Sequence, residues 1–330
     1  YEICSRDWSS DVCSSDLDVL VQNFSAGVME RLGLGHEALL ARHPALVYCT
    51  ISAFGETGPM AHARGYDPMM QAYSGMMRIP QPGEPAPSRI NIPLIDFTTG
   101  QNAFAGILAA LYQRQFTGQG SHVEVCLADS ALSLQAWGLQ RFWAAENTQA
   151  APASAQAMSD NVPYESFEAR DGWLFIACGN NKLWQQFCVA LGQPGLADHP
   201  DYRLNVSRKA NYTALMALLR PLIAAQTRAH WSEALLAAGV PFSPVNTLAE
   251  LARDPQVHAS GLVQTTTSAA FGTVKSVTRA VRFNGQVDWV GAPPPALGEH
   301  TREILQSLEL GDADIERLLA SGAVAMPAQA

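Results

Sequence analysis

The sequence has no long apolar run. Although 48% of its 330 residues are hydrophobic, no stretch approaches the roughly 20 residues of a membrane span. A helical membrane class is excluded, leaving a globular chain large enough for more than one core. Basic residues are also scarce: 21 Lys and Arg stand against 30 Asp and Glu, for a formal charge of −9. A nucleic-acid partner wants a basic surface, so that class is excluded too. Any polyphosphate ligand must be met by local cations against an acidic background. The six cysteines form no C-x-x-C pair and stand beside no histidine cluster at metal-ligand spacing, so no metal site is expected. No secretory signal is legible. Reduced thiols in a cytoplasmic chain are the plain expectation, with the sequons at Asn23, Asn205 and Asn211 as chance occurrences.

What is present centres on the stretch from Thr117 to Gln135. Gly118 and Gly120 can take the positive φ angles that reverse a chain leaving a helix. Val123, Val125 and Leu127 alternate with His122, Glu124 and Cys126, the period of a strand. The alternation stops at Asp129, beyond which Ala131, Leu132, Leu134, Trp137, Leu139 and Phe142 keep broadly helical spacing. Asp129 therefore falls where a strand ends and a helix begins. One reading is a helix N-cap, which contributes about 1 kcal/mol. The other is a nucleophile, since a carboxylate is ionised at neutral pH and, unlike a serine hydroxyl, needs no partner base.

Elsewhere, Asp18–Val21 reads as a buried strand, Gly27–Leu34 as a short helix and Leu46–Ser52 as a second strand. Gly33 to Ala38 matches a dinucleotide fingerprint nominally, but follows a helix rather than a strand and is rejected. The loop Gly55–Gly65 reads as a substrate-side loop. Asp67–Met77 reads as a helix with a methionine face, and Pro80–Pro87 as a surface excursion. Thr98–Gln115 reads as a long helix buried on several sides and capped by Asp96. Ala144–Ser159 reads as a linker. A hairpin around Arg170-Asp171-Gly172 follows, then helices at 182–191, 211–226 and 230–238. A β pair is expected around Val274–Phe283, and a closing helix at Thr301–Leu308.

The segment Gly118 to Asp129 resembles the active-site segment of the family III CoA-transferases, the group containing formyl-CoA transferase and carnitine CoA-transferase. Asp18 to Leu34, Tyr48 to Gly55, Gly65-Tyr66-Asp67, Asp96 to Leu111 and Gly298 to Thr301 match that family in order. The resemblance implies an α/β fold: a Rossmann-like large domain, incomplete at its N-terminus, plus a small α+β domain, in an interlocked homodimer. The expected boundaries are 18–150 for the first part of the large domain, 151–160 for a linker, 161–245 for the small domain and 246–330 for a return segment. Residues 1–17, with their repeated Ser-Ser-Asp, resemble a translated sequencing adaptor ahead of a truncated chain.

The resemblance also implies the chemistry. Asp129 is the expected nucleophile of an acyl-CoA:carboxylate CoA-transferase, which moves CoA between acids through an aspartyl anhydride and an aspartyl-CoA thioester. A CoA thioester is the substrate, a carboxylic acid the acceptor, and no permanently bound cofactor is required. Asn23, Phe24, Arg64, Tyr66 and Asp67 align with residues lining the CoA and acyl groups. Each also has a plainer reading as turn, core, loop or packing residue. Tyr66 bears on the alternative, a 2-methylacyl-CoA racemase. The family's racemases use histidine at this position for a proton shuttle, for which a phenol, ordinarily titrating near 10, is a poor substitute. A second alternative is an inactive CoA-binding remnant. Ala153–Asn161, aligned with formyl-CoA transferase's glycine-rich loop, contains no glycine, so the acceptor is not inferred from oxalate chemistry.

Overall fold

The computed structural model describes residues 17–77, 79–80, 86–148, 160–268, 270–287, 291 and 293–327. The adaptor-like leader up to residue 16, most of the expected excursion at 80–87 and residues 149–159 lie outside them. The chain divides into two compact units, residues 1–160 and 161–330.

In the first unit three parallel strands, β1 (Val19–Gln22), β2 (Val47–Ser52) and β3 (His122–Cys126), lie in that order. The crossover from β1 to β2 carries α1 (Val28–Arg31) and α2 (His36–Arg42). That from β2 to β3 carries α3 (Asp67–Tyr73) and the 24-residue α4 (Leu94–Thr117). β2 is the central strand and buries Val47, Tyr48, Cys49 and Thr50. β1, expected to be buried, is an edge strand without a fully buried residue. After β3 the chain enters α5 (Leu127–Leu134) and α6 (Ala136–Thr148), so the helix extends into the region read as a linker.

The two glycines ahead of β3 serve different purposes. Gly118 ends α4 in the left-handed conformation at φ 69°, a glycine C-cap. Gly120 is not in that region. Its requirement is close approach: an added Cβ would lie 1.9 Å from the Leu46 carbonyl oxygen. Its amide donates to Pro44 O at 2.7 Å, binding the start of β3 to the start of β2.

Two expectations about α3 and α4 change. α3 stops at Tyr73, with Gly75 left-handed after it. Its methionines separate, Met70 being fully buried and Met69 half exposed. α4 begins earlier than expected and is capped not by Asp96 but by the side chain of Asp67 on α3. Asp67 Oδ2 accepts the amides of Ile95 at 2.6 Å and Asp96 at 3.1 Å. Nor is α4 buried on several sides. Ile95, Thr99, Ala103 and Ala110 face inward, whereas Phe97, Phe104, Leu108, Tyr112 and Phe116 form an outward stripe, each 49–75% exposed.

The second unit opens with β4 (Tyr164–Ala169) and β5 (Gly172–Ala177), the hairpin expected around Asp171-Gly172, and β6 (Phe242–Pro244) adds to β5 antiparallel. Helices α7 (Asn181–Ala190), α8 (Gly195–Asp198), α9 (Asn205–Ala210), α10 (Tyr212–Ala224) and α11 (Arg228–Ala238) lie between β5 and β6. Trp184, Phe187, Leu215, Leu219, Ile223, Trp231 and Leu235 join Phe167, Leu174 and Ile176 in one core. Burial lifts the Cys178 and Cys188 thiols in this core to about 12. Arg208, 0% exposed, acts on both thiols through its charge, in the opposite sense.

After α12 (Leu248–Leu251) and α13 (Pro255–Ser260), the β pair is β7 (Val263–Ser268) with β8 (Gly272–Val277), earlier than the expected 274–283. Two helices, α14 (Thr301–Ser307) and α15 (Asp312–Ala320), follow.

Candidate active site

Parallel strands joined by helical crossovers leave their carboxyl ends free on one edge, the usual place for a ligand crevice. A cleft of about 840 Å³ lies there in the first unit, within the size range of small-molecule sites. Gln22, Asn23 and Phe24 line it from the end of β1, and Thr50 to Ala53 from the end of β2. The loop after β2 contributes Gly55, Glu56 and the run Ala61 to Tyr66, α4 contributes Asp96, Thr99 and Gly100, and Leu127 opens α5 beside it.

Four of the sequence-predicted residues therefore share one cleft: Asn23, Phe24, Arg64 and Tyr66. All four are exposed, Tyr66 most of all at 73%. Arg64 makes no hydrogen bond or ion pair with the described residues, so its guanidinium is an uncommitted cation in an acidic chain. Asp67 is different. It is buried, does not line the cleft, and spends both oxygens on protein donors: Oδ2 on the two α4 amides and Oδ1 on Gln71 Nε2 at 2.6 Å. Gln71 in turn holds Ile90 through both its amide atoms, at 3.2 and 2.9 Å. Asp67 fastens the loop containing Arg64 and Tyr66 to the helix forming the next wall.

Asp129 occupies the first turn of α5, two residues beyond Leu127, and is exposed. It is not the N-cap. Cys126 is, with its sulfur accepting the Asp129 amide at 3.3 Å. Burial, reinforced by the adjacent Asp129 carboxylate, pushes the Cys126 thiol up to about 11, so this cysteine stays protonated near neutrality. The Ala128 amide donates to Ala53 O at 3.0 Å, tying the start of α5 to a residue of the cleft wall. A helix N-terminus favours an anion at this position. The arrangement offers an accessible carboxylate on a fixed turn, a neighbouring cleft and, in Arg64, a cation without a partner among the described residues.

Asp96 was legible only as a cap, yet it lines the cleft. Burial, then the charge of Asp67, raises its carboxyl above the usual range. Glu56 and His62 are wall residues within the loop read as substrate-side, and Thr99 is a further one that no local pattern singled out. Beside the cleft, His36 on α2 and His122 on β3 stack with centroids 3.9 Å apart. Burial, then His36, pulls His122 below the usual imidazole range. Among the described residues, no helix is long and apolar enough to cross a membrane.

Comparison with known proteins agrees with this geometry. Residues 15–301 match the family model described as CoA-transferase family III. The chain is 33% identical to the succinyl-CoA:glutarate CoA-transferase of Mus musculus, over 93% of this chain and 70% of that protein. It is 38% identical to the acetyl-CoA:oxalate CoA-transferase of Acetobacter aceti, over 74% and 63% of the two chains. The crystal structure of a CAIB/BAIF family protein from Brucella suis superposes with a TM-score of 0.74 at 31% identity, covering 89% of this chain and 76% of that one. With a match over most of its length and a parallel-strand cleft placed as described, the chain belongs to CoA-transferase family III and is a CoA-transferase enzyme.

Proposed function

We propose that this enzyme moves CoA from an acyl-CoA donor to a carboxylic acid acceptor through covalent intermediates on Asp129. The observation carrying this reading is an accessible carboxylate in the first turn of α5, which opens beside a cleft of suitable size. The carboxylate oxygen attacks the thioester carbonyl, the C–S bond breaks, and a mixed anhydride and CoA thiolate result. The thiolate attacks the aspartyl carbonyl, giving an aspartyl-CoA thioester and releasing the donor acid. The acceptor carboxylate then attacks that thioester, and the freed thiolate takes the acceptor's acyl group, restoring Asp129. No net proton transfer is needed. Asn23, Phe24, Arg64 and Tyr66 are assigned to holding the CoA and acyl groups. Asp67 acts behind them as a positioning residue.

The test is to mix the protein with a panel of acyl-CoA donors without acceptor, digest it and weigh the peptide carrying Asp129, with hydroxylamine as trap. A mass shift on Asp129 is expected, with no deuterium entering carbon 2 of a 2-methylacyl-CoA in heavy water. Absence of any adduct, with deuterium uptake, would establish racemisation instead.

The working form is assigned as a homodimer. Phe97, Phe104, Leu108, Tyr112 and Phe116 recur every seven or four residues, so they lie on one side of α4. A continuous apolar stripe of that exposure marks an interaction face, and a second copy is its proposed occupant. Light scattering after size exclusion is expected to give twice the 35.5 kDa chain mass, and Phe104→Glu to lower it. A monomer at all concentrations would refute the assignment.

A further inference from the structure

We propose that His36, Glu56 and His122 form a binding site for a borderline divalent metal ion, zinc or a first-row neighbour such as cobalt or nickel, on the flank of the cleft. The three come from separate elements: the first residue of α2, the loop after β2, and the first residue of β3. One ligand atom from each lies within 4.8 Å of the others. Two imidazoles and one carboxylate suit zinc and its neighbours, whereas magnesium and calcium prefer oxygen-only sets. Three protein ligands leave a coordination position for water or another ligand.

The surroundings resemble the outer contacts of a ligating histidine. His122 Nε2 lies 2.8 Å from Thr50 Oγ1, which also accepts from Gln22 Nε2 at 3.3 Å. Such contacts fix the orientation of a coordinating ring. Tyr48 sets an edge against both imidazoles, with centroids 6.1 and 5.8 Å away. Glu56 is held at its backbone, where its amide donates to Glu124 Oε1 at 2.8 Å. The imidazoles are nearly parallel, at 12°, so their in-plane lone pairs do not yet converge. Capture of an ion requires one ring to turn, exchanging the stacking contact for coordination. His36, the first residue of its helix, is the ring assigned to turn, because His122 is held by Thr50. Glu56 and Thr50 also line the cleft, which places the ion beside the substrate space.

The experiment uses the full chain stripped with EDTA and titrated with zinc chloride by calorimetry, with cobalt chloride absorption as a second readout. One ion per chain is expected, with little response to magnesium chloride. His122→Gln and Glu56→Gln should each weaken zinc binding by more than about tenfold, since losing even an outer-shell partner costs about 10–100-fold. Glu56 is exposed, so its variant reports on binding even if a histidine variant misfolds. Zinc binding unchanged in Glu56→Gln and in a folded His122→Gln, or no saturable site, would overturn the proposal. So would an equal response to magnesium.

Discussion

Asp129→Ala is expected to lower kcat for CoA transfer by about 10⁴-fold or more, the scale on which removing a covalent nucleophile acts, while leaving CoA binding and the fold in place. The side chain is exposed and is not the cap of α5, a role filled by Cys126. Its removal forgoes the favourable placement of an anion near a helix N-terminus, about 0.3–1 kcal/mol, and its side-chain hydrogen bond with Cys126. Asp129→Glu keeps the charge but moves it by one methylene, and a misplacement of about 1 Å costs on the order of 10²-fold. Steady-state transfer assays with a thermal melt of each variant separate these effects. Asp129→Ala retaining more than a few per cent of turnover would remove the carboxylate from the chemistry.

The largest expected effect on stability belongs to Arg208→Ala, about 3–5 kcal/mol against the second unit. This guanidinium is fully buried and has no carboxylate partner among the described residues. It is held instead by Val162 O at 2.5 Å, Tyr202 O at 2.9 Å, Arg203 O at 3.3 Å and Asn181 Oδ1 at 3.2 Å, and lies 5.0 Å over the Trp184 ring. Truncation leaves two buried acceptors, Val162 O and Tyr202 O, without this donor, each costing about 1–3 kcal/mol, and opens a void beside Trp184. Arg208→Lys should recover only part of the loss, because an ammonium lacks the planar five-donor fork. Urea unfolding followed by tryptophan fluorescence measures both. A change below about 1 kcal/mol for the alanine variant would show that the site relaxes around the loss.

Features set by neighbours in sequence were legible. Alternation around Asp171-Gly172 indicated the β4–β5 hairpin, and the switch of period at Asp129 located the β3–α5 junction. Features set by distant partners were not. The cap of α4 comes from Asp67, 28 residues before Ile95, so the nearer Asp96 took its place in a local reading. The period of α4 signals apolar faces, but not whether this chain covers them. β7 is rich in threonine and has Val263 as its one apolar residue, so it lacks the apolar alternation that marks a strand, and the β pair was expected too late. The cleft residues on α4, and the meeting of His36 with Glu56 and His122, depend on tertiary placement that no spacing encodes.

Asp67 has a mechanical consequence for the cleft. A single carboxylate binds the chain just after Tyr66 to the first turn of α4, and Gln71 extends the brace to Ile90. Two walls are thereby clamped together, and their separation is a fixed dimension of the molecule. Any change in the width of the mouth falls to the far end of the loop leading to Arg64, away from the clamp, where Gly55 and Gly58 sit at φ 84° and 91°. The cleft is a vice with one stationary jaw.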